Sequence, residues 1–429
     1  MSKWIRWPMC FALVMSAVLA GVASRSAWAV PAWARALDTK CATCHSPVPP
    51  RLNNTGLVYK RMGYRLPDAD DEGNLTFKER EGKAVFDDFS LLADMRIESQ
   101  KTDAPDEADT SFKLDEVEAM GGGPLQGGFS YAAEYVLYEA GDSFLETIEA
   151  QYNRGKPEGM FTVRAGQIRP SLWQKGELQK LTLRRPFMFD KRAPIGSFGG
   201  FRLRERQRGV ELGYTINRLQ EGQLTSTFLS GTVLNGLSQE DSTIPGSFSG
   251  TLNNPQDRDN SKDFLLQAMH VWDQSNTVGA FYYRGKATMF DDVGAGASVV
   301  SIGQNRIKRA GLVGNYVVDK KSGVDLLAGY VTGSDDTTEA GVANVDSNGW
   351  FLELNGVLKQ SKEDTTVGRT VGVIRYDRFD PDDSVPGTDK GWTVGLNHQA
   401  SDNILLNLEY QNDSGAAANT IIGRVLFAY

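Results

Sequence analysis

Cysteine and histidine are scarce in this 429-residue chain, with three of each. Cys10 lies in an apolar leader without a lipobox, which argues against a lipoprotein anchor and leaves Cys41 and Cys44 as the thiols of the exported chain. A disulfide-stapled scaffold is therefore excluded, and a zinc site would have to draw on His45, His270 and His398. Long apolar runs are equally rare. Beyond the N-terminus none reaches the roughly 20 residues of a membrane helix, and past residue 85 there is no helical periodicity. Excess positive charge is also missing: 54 acidic against 46 basic residues give a net −8, which argues against nucleic acid as a partner. No Ser/His/Asp constellation, Gly-rich phosphate loop or paired-carboxylate motif stands out.

What is present begins with a signal peptide over residues 1–29: Lys3 and Arg6, an apolar stretch from Met9 to Ala23, and an Ala27-Trp28-Ala29 cleavage site. From residue 86 to 429 the chain reads as segments of about ten residues with period-two alternation, broken by Gly, Asn, Asp and Ser. It closes on the alternating run Arg424-Val425-Leu426-Phe427-Ala428-Tyr429, with a terminal aromatic. The expected fold is all-β, an antiparallel transmembrane barrel of about 16 strands in the outer membrane, with a small α-helical plug ahead of it. Strands are expected near 89–98, 112–120, 129–138, 146–153, 160–168, 210–217, 225–235, 264–272, 277–286, 306–318, 324–332, 350–360, 366–378, 392–400, 404–412 and 420–429. In the first, Phe89, Leu91, Ala93, Met95 and Ile97 should face lipid, and Ser90, Asp94, Arg96 and Glu98 a polar lumen.

Turns near 273–276, 320–323, 361–364 and 401–403 are short and periplasmic by parity, while 236–263, 287–305, 333–349 and 379–391 are long and external. The longest external connection, 169–209, carries Arg184, Arg185, Lys191, Arg192, Arg202, Arg204, Arg206 and Arg208 among Phe187, Phe189, Phe198 and Phe201. It is expected to fold inward as a constriction; the alternative is a loop in solvent or against lipopolysaccharide. Its cations could meet haem propionates or form an anion-selecting ring. Asp241, Asp257, Asp259, Asp291, Asp292, Asp335, Asp336, Asp380, Asp382 and Asp383 fall in the outer loops, where they either attract cations or simply form turns.

Residues 30–85 hold the chemistry. Cys41-Ala42-Thr43-Cys44-His45 is the only CxxCH in the chain. Two thiols at that spacing add to the vinyl groups of a haem, and the adjacent imidazole becomes the proximal iron ligand. A CxxC disulfide or half of a zinc site is the bland alternative. Leu52, Gly56, Tyr59 and Gly63 then fall at helical spacing, with Asn53 available as a cap. So short a segment cannot bury a porphyrin, so the haem plug must sit inside or against the barrel wall. Met62, on the helix that follows the motif, is the first candidate for the sixth ligand, with ordinary packing as its alternative. Met269 faces the lumen by parity and is the second. His270 beside Trp272, and His398 at a periplasmic turn, read as girdle residues.

Pro31-Ala32-Trp33-Ala34-Arg35, the CATCH motif, and Pro50-Arg51-Leu52-Asn53-x-x-Gly56-x-x-Tyr59-Lys60-x-x-Gly63-Tyr64 together resemble the N-terminus of the fused cytochrome–porin proteins of iron-oxidising bacteria. The resemblance is specific over residues 30–66 and architectural over the barrel. It implies one covalent haem c held by Cys41, Cys44 and His45, and an oxidoreductase with extracellular Fe(II) as electron donor and a periplasmic c-type cytochrome as acceptor. It identifies neither a distal ligand nor an iron site. An anion (phosphate-type) porin bearing a haem plug and an outward electron conduit to extracellular acceptors are the competing readings.

Overall fold

The computed structural model describes residues 32–70, 72, 74–78, 89–102, 108–139, 142–168, 180–196, 200–203, 207–220, 223–236, 261–273, 275–291, 300–319, 322–361, 366–381, 387–415 and 418–428. The leader, Arg204, Arg206, Phe198, Asp241, Asp257, Asp259, Asp292, Asp382 and Asp383 lie outside them.

The chain opens with α1 (Ala32–Ala36), α2 (Cys41–Cys44) and α3 (Asn54–Arg61), then a small hairpin of β1 (Pro67–Ala69) and β2 (Leu75–Phe77). Asn53 caps α3 as its sequence position suggests, accepting from the Gly56 amide at 3.0 Å. Gly56 is required there for a second reason. A Cβ would collide with the Cys44 carbonyl, so the close packing of α3 on the CxxC turn depends on a bare Cα.

The barrel follows: β3 (Phe89–Thr102), β4 (Ala108–Pro124), β5 (Phe129–Glu139), β6 (Asp142–Lys156), β7 (Gly159–Ile168), β8 (Gln207–Gln220), β9 (Gln223–Leu234), β10 (Asp263–Trp272), β11 (Asn276–Asp291), β12 (Val300–Asp319), β13 (Val324–Thr337), β14 (Val345–Lys359), β15 (Thr370–Pro381), β16 (Asp389–Ser401), β17 (Ile404–Asp413) and β18 (Ala418–Ala428). Each pairs antiparallel with its neighbours, and β18 closes on β3 with Ile422 opposite Glu98. Closure leaves no free edge, which is what a bilayer demands of a sheet. The expected faces hold in β3: Phe89 and Met95 are 46% and 47% exposed toward lipid, and Asp94 is 1% exposed inside.

Two expectations need correction. Strands run further outward than the alternation suggested, so Asp335, Asp336 and Asp380 belong to β13 and β15 rather than to outer loops. The lumen is also not uniformly polar. From β10 to β15 inward-facing Leu265, Phe281, Tyr283, Leu327, Phe351 and Phe379 are buried, so the inner face of these strands carries an apolar patch among its polar residues.

The inner wall is apolar there because something packs on it. A barrel of this many strands is too wide for its own side chains to fill. Residues 180–196 and 200–203, with the short helix α4 (Phe187–Asp190), fold inward as expected. They bury Phe187, Met188, Phe189, Ile195, Phe201 and Leu203 against that wall in the largest apolar cluster among the described residues. Polar anchors hold the segment: the Leu183 and Arg184 amides donate to Glu409 at 2.6 and 3.2 Å, and Lys191 meets Asp413 at 3.2 Å. Replacing Phe187, Met188 and Phe189 together by alanine removes several kcal/mol of packing, about 2–5 per site. The variant is expected to lower the unfolding temperature and raise single-channel conductance in planar bilayers. Unchanged conductance would show that this segment does not occlude the lumen.

Candidate haem site

The CxxCH motif lies at the end of the barrel that carries the short turns, the periplasmic end by barrel topology. Contacts to those turns and to neighbouring strand ends fix it there. Asn54 Nδ2 donates to the Trp272 carbonyl at 2.9 Å, Arg369 Nη1 to the Pro47 carbonyl at 2.7 Å, and Cys41 Sγ lies 3.9 Å from Asp402 Oδ1. Trp33 Nε1 donates to the Gly122 carbonyl at 2.6 Å and packs with Tyr59 and Tyr64, whose ring centroids lie 5.6 Å apart. The last helical carbonyl of α3, at Arg61, accepts from Gln151 and Asn153 of β6 at 2.8 and 3.0 Å. A helix end that would otherwise need water is thus completed by the barrel wall. The plug cannot be lifted out without leaving such groups unpaired.

The motif's donors suit a c-type haem. Cys41 and Cys44 are free thiols rather than a disulfide. Burial and the nearby Asp402 carboxylate push the Cys41 thiol up to about 11, and burial raises Cys44 to about 12, so both stay protonated and uncharged. The two other histidines, which a zinc site would draw on, do not join the motif. Outward-facing His270 stacks on Trp272 with ring centroids 5.6 Å apart, and His398 hydrogen-bonds Thr370 Oγ1 at 2.9 Å. His45 Nδ1 lies 3.2 Å from the Arg51 carbonyl oxygen. A carbonyl can only accept, so Nδ1 carries the proton and Nε2 keeps its lone pair for iron. Burial holds the ring's pKa down at about 4, so it is neutral at physiological pH, as a metal ligand must be.

Arg51 does more than lend its carbonyl. Its guanidinium is 1% exposed and reaches two lumen-wall carboxylates, Asp325 at 2.9 Å and Glu353 at 2.6 Å. Glu353 also meets Arg375 at 3.5 Å, and Arg375 donates to the Arg184 carbonyl at 2.9 Å and to Thr182 in the constriction. One buried chain of charges therefore joins the residue that orients His45 to the segment folded in from the outside. Sequence reading missed its wall members. Asp325 and Glu353 are acidic residues at lumen parity near the short-turn end, and only their meeting with Arg51 sets them apart.

The two methionines lie in different surroundings. Met62 caps α3 and packs with Val58 and Met160, while Met269 shares a cluster with Leu52, Leu57 and Cys44. Of the acids expected at the outer mouth, the three whose side chains are described are each paired with a cation. Asp335 is buried against Arg309 at 2.6 Å, Asp336 meets Lys308 at 3.3 Å, and Asp380 meets Arg378 at 2.6 Å. Among the described arginines of the inward connection, Arg184 lies 3.5 Å from Asp377, and Arg208 reaches Gln167 at 3.4 Å. Among the described residues one carboxylate grouping has metal-like spacing: Glu116, Glu118 and Glu146, with ligand atoms within 4.8 Å of one another. It includes no residue of the motif.

No protein-family model matches the sequence, and no curated protein does. Solved structures do match. The anion-selective porin from Comamonas acidovorans aligns over 80% of this chain and 98% of its own, at TM-score 0.51 and 12% identity. Pseudomonas putida OprB gives a TM-score of 0.49 at 10% identity, covering 80% of this chain and 94% of its own. Vibrio cholerae OmpT gives 0.48 at 9%, covering 80% and 99%. With the closed sheet of β3 to β18, this identifies a porin-like outer-membrane β-barrel protein. At such identities the likeness speaks to the fold alone.

Truncating Arg51 leaves Asp325 and Glu353 as buried, under-compensated charges, a loss of about 3–5 kcal/mol in comparable pairs. In Arg51→Ala, hydrogen exchange should accelerate over residues 54–61 while the barrel keeps its folded, heat-modifiable migration. Adding Asp325→Asn and Glu353→Gln should recover much of the protection. Native protection in the single variant would remove Arg51 as the clamp.

Proposed function

We propose that the protein is a monohaem cytochrome–porin fusion that oxidises extracellular Fe(II) and delivers the electrons to a c-type cytochrome in the periplasm. The observation that carries this reading is the seat of Cys41, Cys44 and His45 at the periplasmic mouth of a barrel into which the segment around Phe187 to Phe189 folds from the other side. A narrowed lumen opposes ion flow, and the wall insulates a redox centre from the bilayer. The haem, when bound, supplies a one-electron couple: each Fe(II) lost as Fe(III) outside reduces one acceptor haem inside. Fe(III) precipitates at neutral pH, so oxidation at the surface keeps the mineral outside.

The residues have separate tasks in this reading. Cys41 and Cys44 fix the haem covalently, and His45 offers Nε2 with its tautomer set by the Arg51 carbonyl. Trp33, Tyr59 and Tyr64 exclude water on one side of the motif, and the barrel wall does so on another. For the sixth position we favour Met269, which shares a cluster with Cys44 and would exchange its 3.4 Å contact with Arg61 Nη2 for iron, over Met62, whose side chain lies with Val58, one helical face away from Leu57. The anion-porin reading is weakened by the pairing of Arg184 and Lys191 with Asp377 and Asp413.

Denatured wild-type protein should retain a haem-stained band that Cys41→Ala/Cys44→Ala lacks. Fe(II) added outside proteoliposomes that enclose an oxidised c-type cytochrome should reduce it. A large anion current with no haem reduction would establish the porin reading, and transfer only from the inside outward would establish the reverse conduit. Met269→Leu should abolish any methionine–iron charge-transfer band and lower the potential, since a thioether favours ferrous haem. Loss of the band in Met62→Leu instead would return the assignment to Met62.

A further inference from the structure

On the outward face of β11 to β16, three pairs of cations stand directly opposite one another across adjacent strands: Arg284 with Lys308, Lys286 with Arg306, and Arg378 with Lys390. Their strand neighbours Tyr283, Ile307 and Arg309 are buried inside, which fixes the outward direction of the first two pairs. Like charges directly opposite in a sheet are destabilising, and here the arrangement recurs three times in one sector. Carboxylates answer only two of the six: Lys308 meets Asp336 at 3.3 Å and Arg378 meets Asp380 at 2.6 Å. Among the described residues, Arg284, Lys286, Arg306 and Lys390 have no carboxylate within ion-pair distance.

Their height in the membrane is also defined. An aromatic band of Tyr282, Tyr330, Trp350, Tyr376 and Trp392 runs beside and just below them, with Trp350–Tyr376 and Tyr376–Trp392 ring centroids 5.3 and 4.8 Å apart. Exposed Leu312, Leu352 and Ile374 lie further toward the periplasmic end. Aromatic girdles mark the boundary between hydrocarbon and headgroups, so these cations project at headgroup level on the external side. A groove of about 610 Å³ opens among Tyr282, Lys308, Tyr330, Asp346 and Asp380, large enough for a phosphorylated sugar.

We propose that this face of β11 to β16 binds the phosphate-bearing headgroup of an outer-leaflet glycolipid of the lipid A type. Phosphates bridging the opposed pairs would convert three repulsive contacts into attractive ones, while the acyl chains lie along the leucines below. The proposal needs the membrane-embedded barrel and no haem.

The test is native mass spectrometry of the full protein in neutral detergent, titrated with bisphosphorylated lipid A and with its dephosphorylated counterpart. Wild type should bind only the phosphorylated form. Arg284→Gln/Lys286→Gln/Arg306→Gln/Lys308→Gln should bind it at least roughly tenfold more weakly. Arg154→Gln/Lys156→Gln, at the periplasmic end of β6, should bind like wild type. Heat-modifiable migration checks folding. Without lipid, the fourfold variant should unfold at a temperature no lower than wild type, because repulsion has been relieved. Equal lipid binding by the fourfold variant overturns the proposal. So does full competition by inorganic phosphate, which would indicate a soluble-anion site, or a wild-type dimer lost in the variant, which would indicate a second copy of the chain on this face.

Discussion

Glu353 is the point on which both inserts of this barrel bear. Its carboxylate is 1% exposed, in a position where an unmatched charge would cost several kcal/mol. Arg51 arrives from the periplasmic plug, and Arg375 carries the connection on to Thr182 and Arg184 of the constriction. Buried ion pairs of this kind add little to stability over well-packed apolar residues. What they supply is register: the plug fits in one position, and the constriction in the position that goes with it.

That register has a direct chemical consequence. The Arg51 carbonyl fixes the tautomer of His45, and the Arg51 side chain is held by two strands of the wall. The orientation of the imidazole is therefore set by the barrel as much as by the plug. A segment with three short helices could not hold such geometry alone, and its own polar ends are completed by Gln151, Asn153 and Trp272. The small N-terminal plug and the large membrane barrel are one structure in this sense.

Charge on the barrel is distributed by face. Inside, acidic and basic groups are matched at short distances, as in Asp94 with Arg96 and Arg424 at 2.7 and 2.9 Å. On the external headgroup level of β11 to β16, cations oppose cations. Charges buried inside are removed from water, so mismatch there is expensive, whereas lipid phosphates can balance a positive outer face.

Much of this was legible in the chain. Each of the sixteen strands overlaps the segment where alternation places it, though several run further outward, because the lipid face must be apolar whatever the lumen contains, and turn residues interrupt it at regular intervals. The CxxCH motif, the Asn53 cap and the inward fold of the arginine-rich connection were also readable, since each rests on local spacing or on the length of a loop. The sequence could not show why β10 to β15 carry an apolar patch on their inner face, because that depends on Phe187 to Phe189 arriving from another part of the chain. Nor could it show that Met269, the second candidate, shares a cluster with Cys44 while Met62, the first, packs with Val58 and Met160. Asp335 read as a loop acid until Arg309 of the next strand claimed it. Periodicity records which face a residue occupies, but only the closed barrel decides what that face meets.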